Sequence, residues 1–170
     1  MDFQLIPLSD ELLPQFKKDM QEAFQRSAED TYGPGPEILP ESHIDRSLNA
    51  EGAAAYAAIV DGEMVGGAII AVDRDTAEGE LSFLYVKHGV QSKGIGKAIW
   101  SAIENLHPEV KVWMTCTPYF EKRNIHFYVN CCGFHIVRFY HKGYPDPNDP
   151  EDYGEEDEAF AGMFVFQKVL

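Results

Sequence analysis

The chain has 170 residues, of which 45% are apolar and 25% charged. That is an ordinary globular mix and length for one domain, spanning residues 1–170, with a substantial core. A net charge of −14 repels phosphate backbones and anionic lipid, so nucleic acid and membrane surfaces are disfavoured as partners. The first residues, MDFQLIPLSDELL, lack the basic and apolar regions of a signal peptide, and every apolar run breaks well before about 18 residues. Three cysteines without framework spacing fit a reducing compartment, and the expectation is a cytoplasmic protein.

In chain order, residues 3–8 read as a short strand. Ser9 can cap a helix of about 18 residues in which Leu12, Phe16, Met20 and Phe24 recur at helical spacing. Residues 32–40 are a Pro/Gly-rich loop, and a short helix is expected over 41–49. Two apolar runs, 53–60 and 63–72, flank Asp61-Gly62, a strong hairpin signal because both turn positions take positive φ. Residues 73–79 form a polar turn and 80–87 a buried strand.

A loop then leads into a second amphipathic helix over 94–106, with Ile95, Ile99 and Ile103 on its apolar face and an end at His107, before a proline. Residues 110–116 are a strand and 121–131 a helix, closed near Gly133. Strands 134–140 and 161–169 follow, joined by an acidic loop with eight carboxylates between Asp146 and Glu158. Such a run is ordinarily a solvated loop, and the sharper alternative is a lid that attracts a cationic amine. The order implies a mixed α/β layer fold.

The informative segment is the crossing from strand 80–87 to helix 94–106. A helix N-terminus leaves its first amides unpaired and carries partial positive charge, so it binds anions. Gly94 and Gly96 permit close backbone approach and Lys93 can add a charge. A Rossmann fingerprint fails because Ile99 stands where the third glycine belongs, and a Walker A loop fails at Gln91 and Ala98. A glycine-rich turn without a ligand stays open on geometry alone. The His107-Pro108-Glu109 triplet is part of a zinc deaminase signature whose Pro-Cys-x-x-Cys half is absent.

Gln91-Ser92-Lys93-Gly94-Ile95-Gly96 resembles the central signature, Gln/Arg-x-x-Gly-x-Gly/Ala, of the GNAT superfamily of acyl-CoA-dependent N-acetyltransferases. Phe127-Tyr128 followed by Gly133-Phe134 is similar to a second element of that family, and the likeness covers roughly residues 53–140. The resemblance implies a central, mostly antiparallel and partly parallel twisted sheet flanked by helices. It implies acetyl-CoA as cosubstrate, with the backbone of Leu84, Tyr85 and Val86 holding the pantetheine arm. The backbone of Gln91, Ser92, Lys93, Gly94, Ile95 and Gly96, with Lys97, would hold the pyrophosphate.

Acetyl transfer to an amine needs proton removal from an ammonium with a pKa near ~10 and benefits from a proton for the leaving thiolate. Glu80, at the start of the strand that ends at the loop, is the candidate base, and a solvated glutamate is the plain alternative. By resemblance Tyr128 is the candidate acid, although it stands five residues before Gly133 where the family commonly has four. A π-bulge would absorb the extra residue. The plain alternative is a core tyrosine beside Phe127. Asn124, one helical turn before Tyr128, is a candidate cofactor contact, with Glu121 at the place where the family often has asparagine.

His126 and His135 read as structural or surface residues, Cys131 and Cys132 as small buried side chains with redox sensitivity as the alternative, and Cys116 as core. No metal site is expected. The leading function is N-acetylation of a small-molecule amine. A protein N-terminus or lysine as acceptor, and a non-catalytic acyl-CoA-binding module, are the alternatives. Homodimerisation through the C-terminal strands is a further option.

Overall fold

A computed structural model describes residues 2–148 and 162–170. The chain divides into two compact units, Met1–Val110 and Lys111–Leu170. Among the described residues no helix is long and apolar enough to cross a membrane.

The first unit holds β1 (Phe3–Pro7), α1 (Leu13–Tyr32), α2 (Glu41–Leu48), β2 (Ala53–Val60), β3 (Glu63–Asp73), β4 (Glu78–Val86) and α3 (Ile95–Leu106). Its strands pair antiparallel in the order β1-β2-β3-β4. Asp61 and Gly62 take φ of 49° and 86° and join Val60 to its partner Glu63, the two-residue turn that the Asp-Gly pair predicts. The turn expected over 73–79 is shorter, because β3 runs to Asp73 and β4 starts at Glu78. Asp73 Oδ1 accepts from the amides of Asp75 and Thr76 at 3.0 and 3.4 Å, so a side chain closes the turn in place of extra loop residues. α1 starts at Leu13, later than the Ser9 cap implies: Ser9 Oγ accepts from Leu12 N at 3.3 Å but ties a preceding turn, and no side chain caps the helix itself.

The pairing of β3 with β4 slips between Ile69 and Ile70. Ile69 faces Phe83 and Ile70 faces Leu81, so Ser82 is the extra residue of a β-bulge. Phe16, Met20 and Ala23 of α1 and Ile44 of α2 bury against Ile69 and Tyr85, with Phe83 packed alongside. The Phe16 and Tyr85 rings meet edge-on at 5.3 Å. The opposite face carries α3, whose Ile99 sits where a side chain on Gly66 would go. At the end of α3, Tyr56 Oη lies 2.6 Å from His107 Nε2, and His107 Nδ1 lies 3.1 Å from Glu109 Oε1. This chain of contacts ties the helix terminus to β2.

The second unit holds β5 (Val112–Pro118), α4 (Lys122–His126), a π-helical turn over Phe127–Cys131, β6 (His135–Tyr140) and β7 (Met163–Val169). The strands pair antiparallel in the order β5-β7-β6. The single helix expected over 121–131 is therefore an α turn that widens into a π turn, closed by Gly133 at φ 83°. Of the acidic loop expected to form a solvated run or lid, residues 149–158 lie outside the described residues.

β3 has no room for a side chain at Gly67, where a Cβ would fall against the Phe16 ring and the Tyr56 carbonyl oxygen. Gly67→Ala is expected to destabilise the fold by about 1–3 kcal/mol through overpacking, measurable by urea unfolding.

Candidate functional site

Two pieces of chain, one in each unit, carry the residues that the sequence singles out. The first is the β4–α3 crossing. Leu84, Tyr85 and Val86 close β4 opposite Ala68, Gly67 and Gly66. The chain then turns through Gly89 (φ 96°), Ser92 (φ 67°) and Gly94 (φ 79°). Serine pays a steric cost in that region that glycine does not. Gly94 is the residue before α3, and no side chain caps the helix. The first helical bond runs from Ala98 N to Gly94 O at 3.0 Å, so the amides of Ile95, Gly96 and Lys97 precede the helical ladder. A Cβ on Gly94 would meet nothing within 4 Å, which leaves the approach to these amides open. Lys93 and Lys97 are exposed beside them.

Gln91 contributes more than its backbone, because its Nε2 donates to Val86 O at 3.3 Å and closes the turn on the strand end. Tyr85 is directed away from solvent: its hydroxyl is buried and has no hydrogen-bond partner. Burial first, and the Asp19 carboxylate second, push its phenol above the usual tyrosine range. Only the backbone of Tyr85 is thus available to a ligand. Glu80 is exposed on β4 opposite Ala71. The Ser82 bulge reverses the strand's alternation. It puts Glu80 on the same face as Phe83 and Tyr85, towards α1, and leaves Leu84 and Val86 on the α3 face.

The second piece is the α4–π segment on β5. Tyr128 is 8% exposed, its ring packed against Phe127, Phe134 and Phe166 at centroid distances of 5.4, 5.7 and 5.4 Å. Its hydroxyl is hydrogen-bonded to the Thr115 side chain, and burial pushes the phenol up to about 12. Asn124 Nδ2 donates to Thr117 Oγ1 at 3.1 Å. Thr115 and Thr117 lie two apart on β5 and are both 2% exposed, so they share one face of the strand and seat two residues four apart, Asn124 on Thr117 and Tyr128 on Thr115. Sequence reasoning missed both threonines. The Thr-x-Thr alternation in the middle of an apolar strand was the available signal. Glu121, noted only as a substitute for asparagine, is half-buried and its carboxyl is raised by that burial.

The cysteine expectations need correction. Cys116 is exposed on β5, not core, because it falls on the opposite face from the buried Thr115 and Thr117. Cys132 is buried, whereas Cys131 is only partly so. Among the described residues no group of three or more His, Cys, Asp or Glu could hold a metal ion.

Residues 17–134 match the Acetyltransferase (GNAT) family, and the chain belongs to that family. The uncharacterized protein YrkN of Bacillus subtilis (strain 168) is 41% identical over 164 residues, which cover 93% of this chain and 88% of YrkN. Two solved structures share the fold at 16% identity. The ribosomal-protein-S18-alanine N-acetyltransferase of Escherichia coli superposes with a TM-score of 0.71, covering 99% of this chain and 94% of its own. The PaiA N-acetyltransferase of Thermoplasma acidophilum, solved in complex with coenzyme A, gives a TM-score of 0.70 and covers both chains completely, 100% each.

A phenol whose folded pKa lies above its ordinary value near 10 stabilises the fold fully below that ordinary value. The contribution is lost as pH rises towards the folded value of about 12. Stability is expected to fall between about pH 10 and 12. Tyr128→Phe should flatten that fall, leaving the part owed to Tyr85, in urea titrations at successive pH values.

Proposed function

We propose that the chain, as a single acetyltransferase domain, transfers the acetyl group of acetyl-CoA to the primary amine of a small molecule. The observation that carries this reading is the opening of α3. Its first three amides lie ahead of the helical ladder without a side-chain cap, and they follow a turn that has no Cβ at Gly94. Amides aimed outward at the positive end of a helix suit a diphosphate. The backbone of Gln91, Ser92, Lys93, Gly94, Ile95 and Gly96 is assigned to that group, with Lys97 adding charge. The backbone of Leu84, Tyr85 and Val86 is assigned to the pantetheine arm. Acetyl-CoA supplies the activated acyl thioester.

Glu80 is assigned the proton of the attacking ammonium. Its exposure on β4 leaves it accessible to a charged acceptor. Tyr128 is assigned the proton that the departing sulfur takes. Because burial holds its phenol at about 12, the hydroxyl carries that proton throughout the neutral range. Asn124, anchored on Thr117, is assigned a contact with the cofactor. The net charge of −14 favours approach of a cationic amine.

The test combines calorimetric titration with coenzyme A and thiol release from acetyl-CoA across polyamines, amino sugars, amino acids and peptides. Coenzyme A binding and turnover on a small amine are expected. Turnover confined to peptides would replace the acceptor class, and binding without turnover on any amine would leave a non-catalytic module. Tyr128→Phe is expected to lower kcat by about 100-fold with coenzyme A affinity unchanged. Gly94→Val, which forces a β-branched residue into the left-handed region, is expected to weaken coenzyme A binding by at least about tenfold while Gly94→Asn is better tolerated.

A further inference from the structure

The extra residue between Tyr128 and Gly133 has a chemical consequence outside the acetyl-transfer machinery. In an α-helix, residues five apart point about 140° away from each other. Over Phe127–Cys131 the helix is π, and Cys132 N donates to Phe127 O at 3.0 Å, a five-residue step. The widened turn brings residue i+5 back over residue i. Cys131 is thereby placed beside His126, with Sγ 3.7 Å from Nε2. On the other side of the ring, Asn130 Nδ2 lies 2.9 Å from His126 Nδ1. An amide N–H donates at that distance, so Nδ1 accepts and the neutral ring carries its proton on Nε2, directed at the sulfur. His126 and Asn130 are exposed and Cys131 is half-buried, so small solutes reach the sulfur.

We propose that Cys131 is a peroxide-reactive thiol, a site at which hydroperoxides oxidise the sulfur to sulfenic acid, with His126 donating to the sulfur and Asn130 holding the His126 tautomer. An N–H donor is the partner that a thiolate needs and a thiol uses poorly. The reactive thiolate forms by loss of the thiol proton to solvent. Its sulfur attacks one oxygen of the peroxide, the O–O bond breaks, and the departing hydroxide or alkoxide takes a proton from water. Sulfur loses two electrons and the peroxide gains them, so thiol plus hydroperoxide gives sulfenic acid plus water or alcohol. The buried Cys132 is shielded from this reaction. Cys116 is exposed and serves as a reference within the same molecule.

The experiment exposes the full chain to hydrogen peroxide with dimedone present and follows the adduct at each cysteine by mass spectrometry. Cys131 is expected to be trapped about tenfold faster than Cys116. His126→Ala is expected to bring Cys131 down to the Cys116 rate while Cys116 itself is unchanged, which reports an intact fold. His126→Gln, which keeps an N–H donor, should retain part of the advantage. The proposal is overturned if wild-type Cys131 is trapped no faster than Cys116, or if the ratio survives both His126 substitutions. Neither outcome depends on which acyl acceptor the protein uses.

Discussion

The crossing from β4 to α3 is governed by a backbone constraint. Ser92 and Gly94 both hold positive φ, and the chain can leave the strand and enter the helix in this geometry only if the helix starts abruptly. An abrupt start has no residue before it whose side chain folds back on the first turn. The amides at the head of α3 are left to whatever approaches from outside. Gln91, which could have supplied a cap, instead bonds Val86 O. The sequence thus spends a polar side chain on shaping the turn and leaves the helix end polar and open.

Tyr128 is held by a different economy. Three aromatic rings surround it and one threonine hydroxyl satisfies its only polar atom. Burial of a phenol without that partner would leave an unsatisfied group, a cost of the order of 1–3 kcal/mol. Tyr85, by contrast, is buried with its hydroxyl unpaired, and so carries such a cost. The two tyrosines, alike in sequence, are therefore in different physical states: one has its phenol held by a threonine, the other packs with its hydroxyl orphaned.

Strands and helices were legible wherever period and punctuation agreed. Asp61-Gly62 announced its hairpin, the Ile95–Ile99–Ile103 stripe announced α3, and the signature at 91–96 announced the family. What escaped had one of two causes. Features set by pairing register, such as the bulge at Ser82, leave no trace in local composition, since serine is at home in a strand or a loop. Features set by tertiary partners also escaped. The roles of Thr115 and Thr117 exist only because Tyr128 and Asn124 lie over them, and Cys116 is exposed because it alternates with those two rather than with the apolar residues around it. The π turn is an intermediate case. Its extra residue was countable, but its effect on the side chains of His126 and Cys131 required coordinates.

The bulge at Ser82 also decides which neighbourhood Glu80 belongs to. A strand sorts its residues by parity, odd to one layer and even to the other, and a single inserted residue inverts that sorting for everything upstream. Glu80 would otherwise have shared the α3 layer with Leu84 and Val86. Instead it belongs with α1 and α2, on the face opposite the one that Leu84 and Val86 turn towards α3. Substitutions in α1 and α2 therefore reach the layer of Glu80 without crossing the sheet to the layer of α3, so the two faces of one strand can diverge separately.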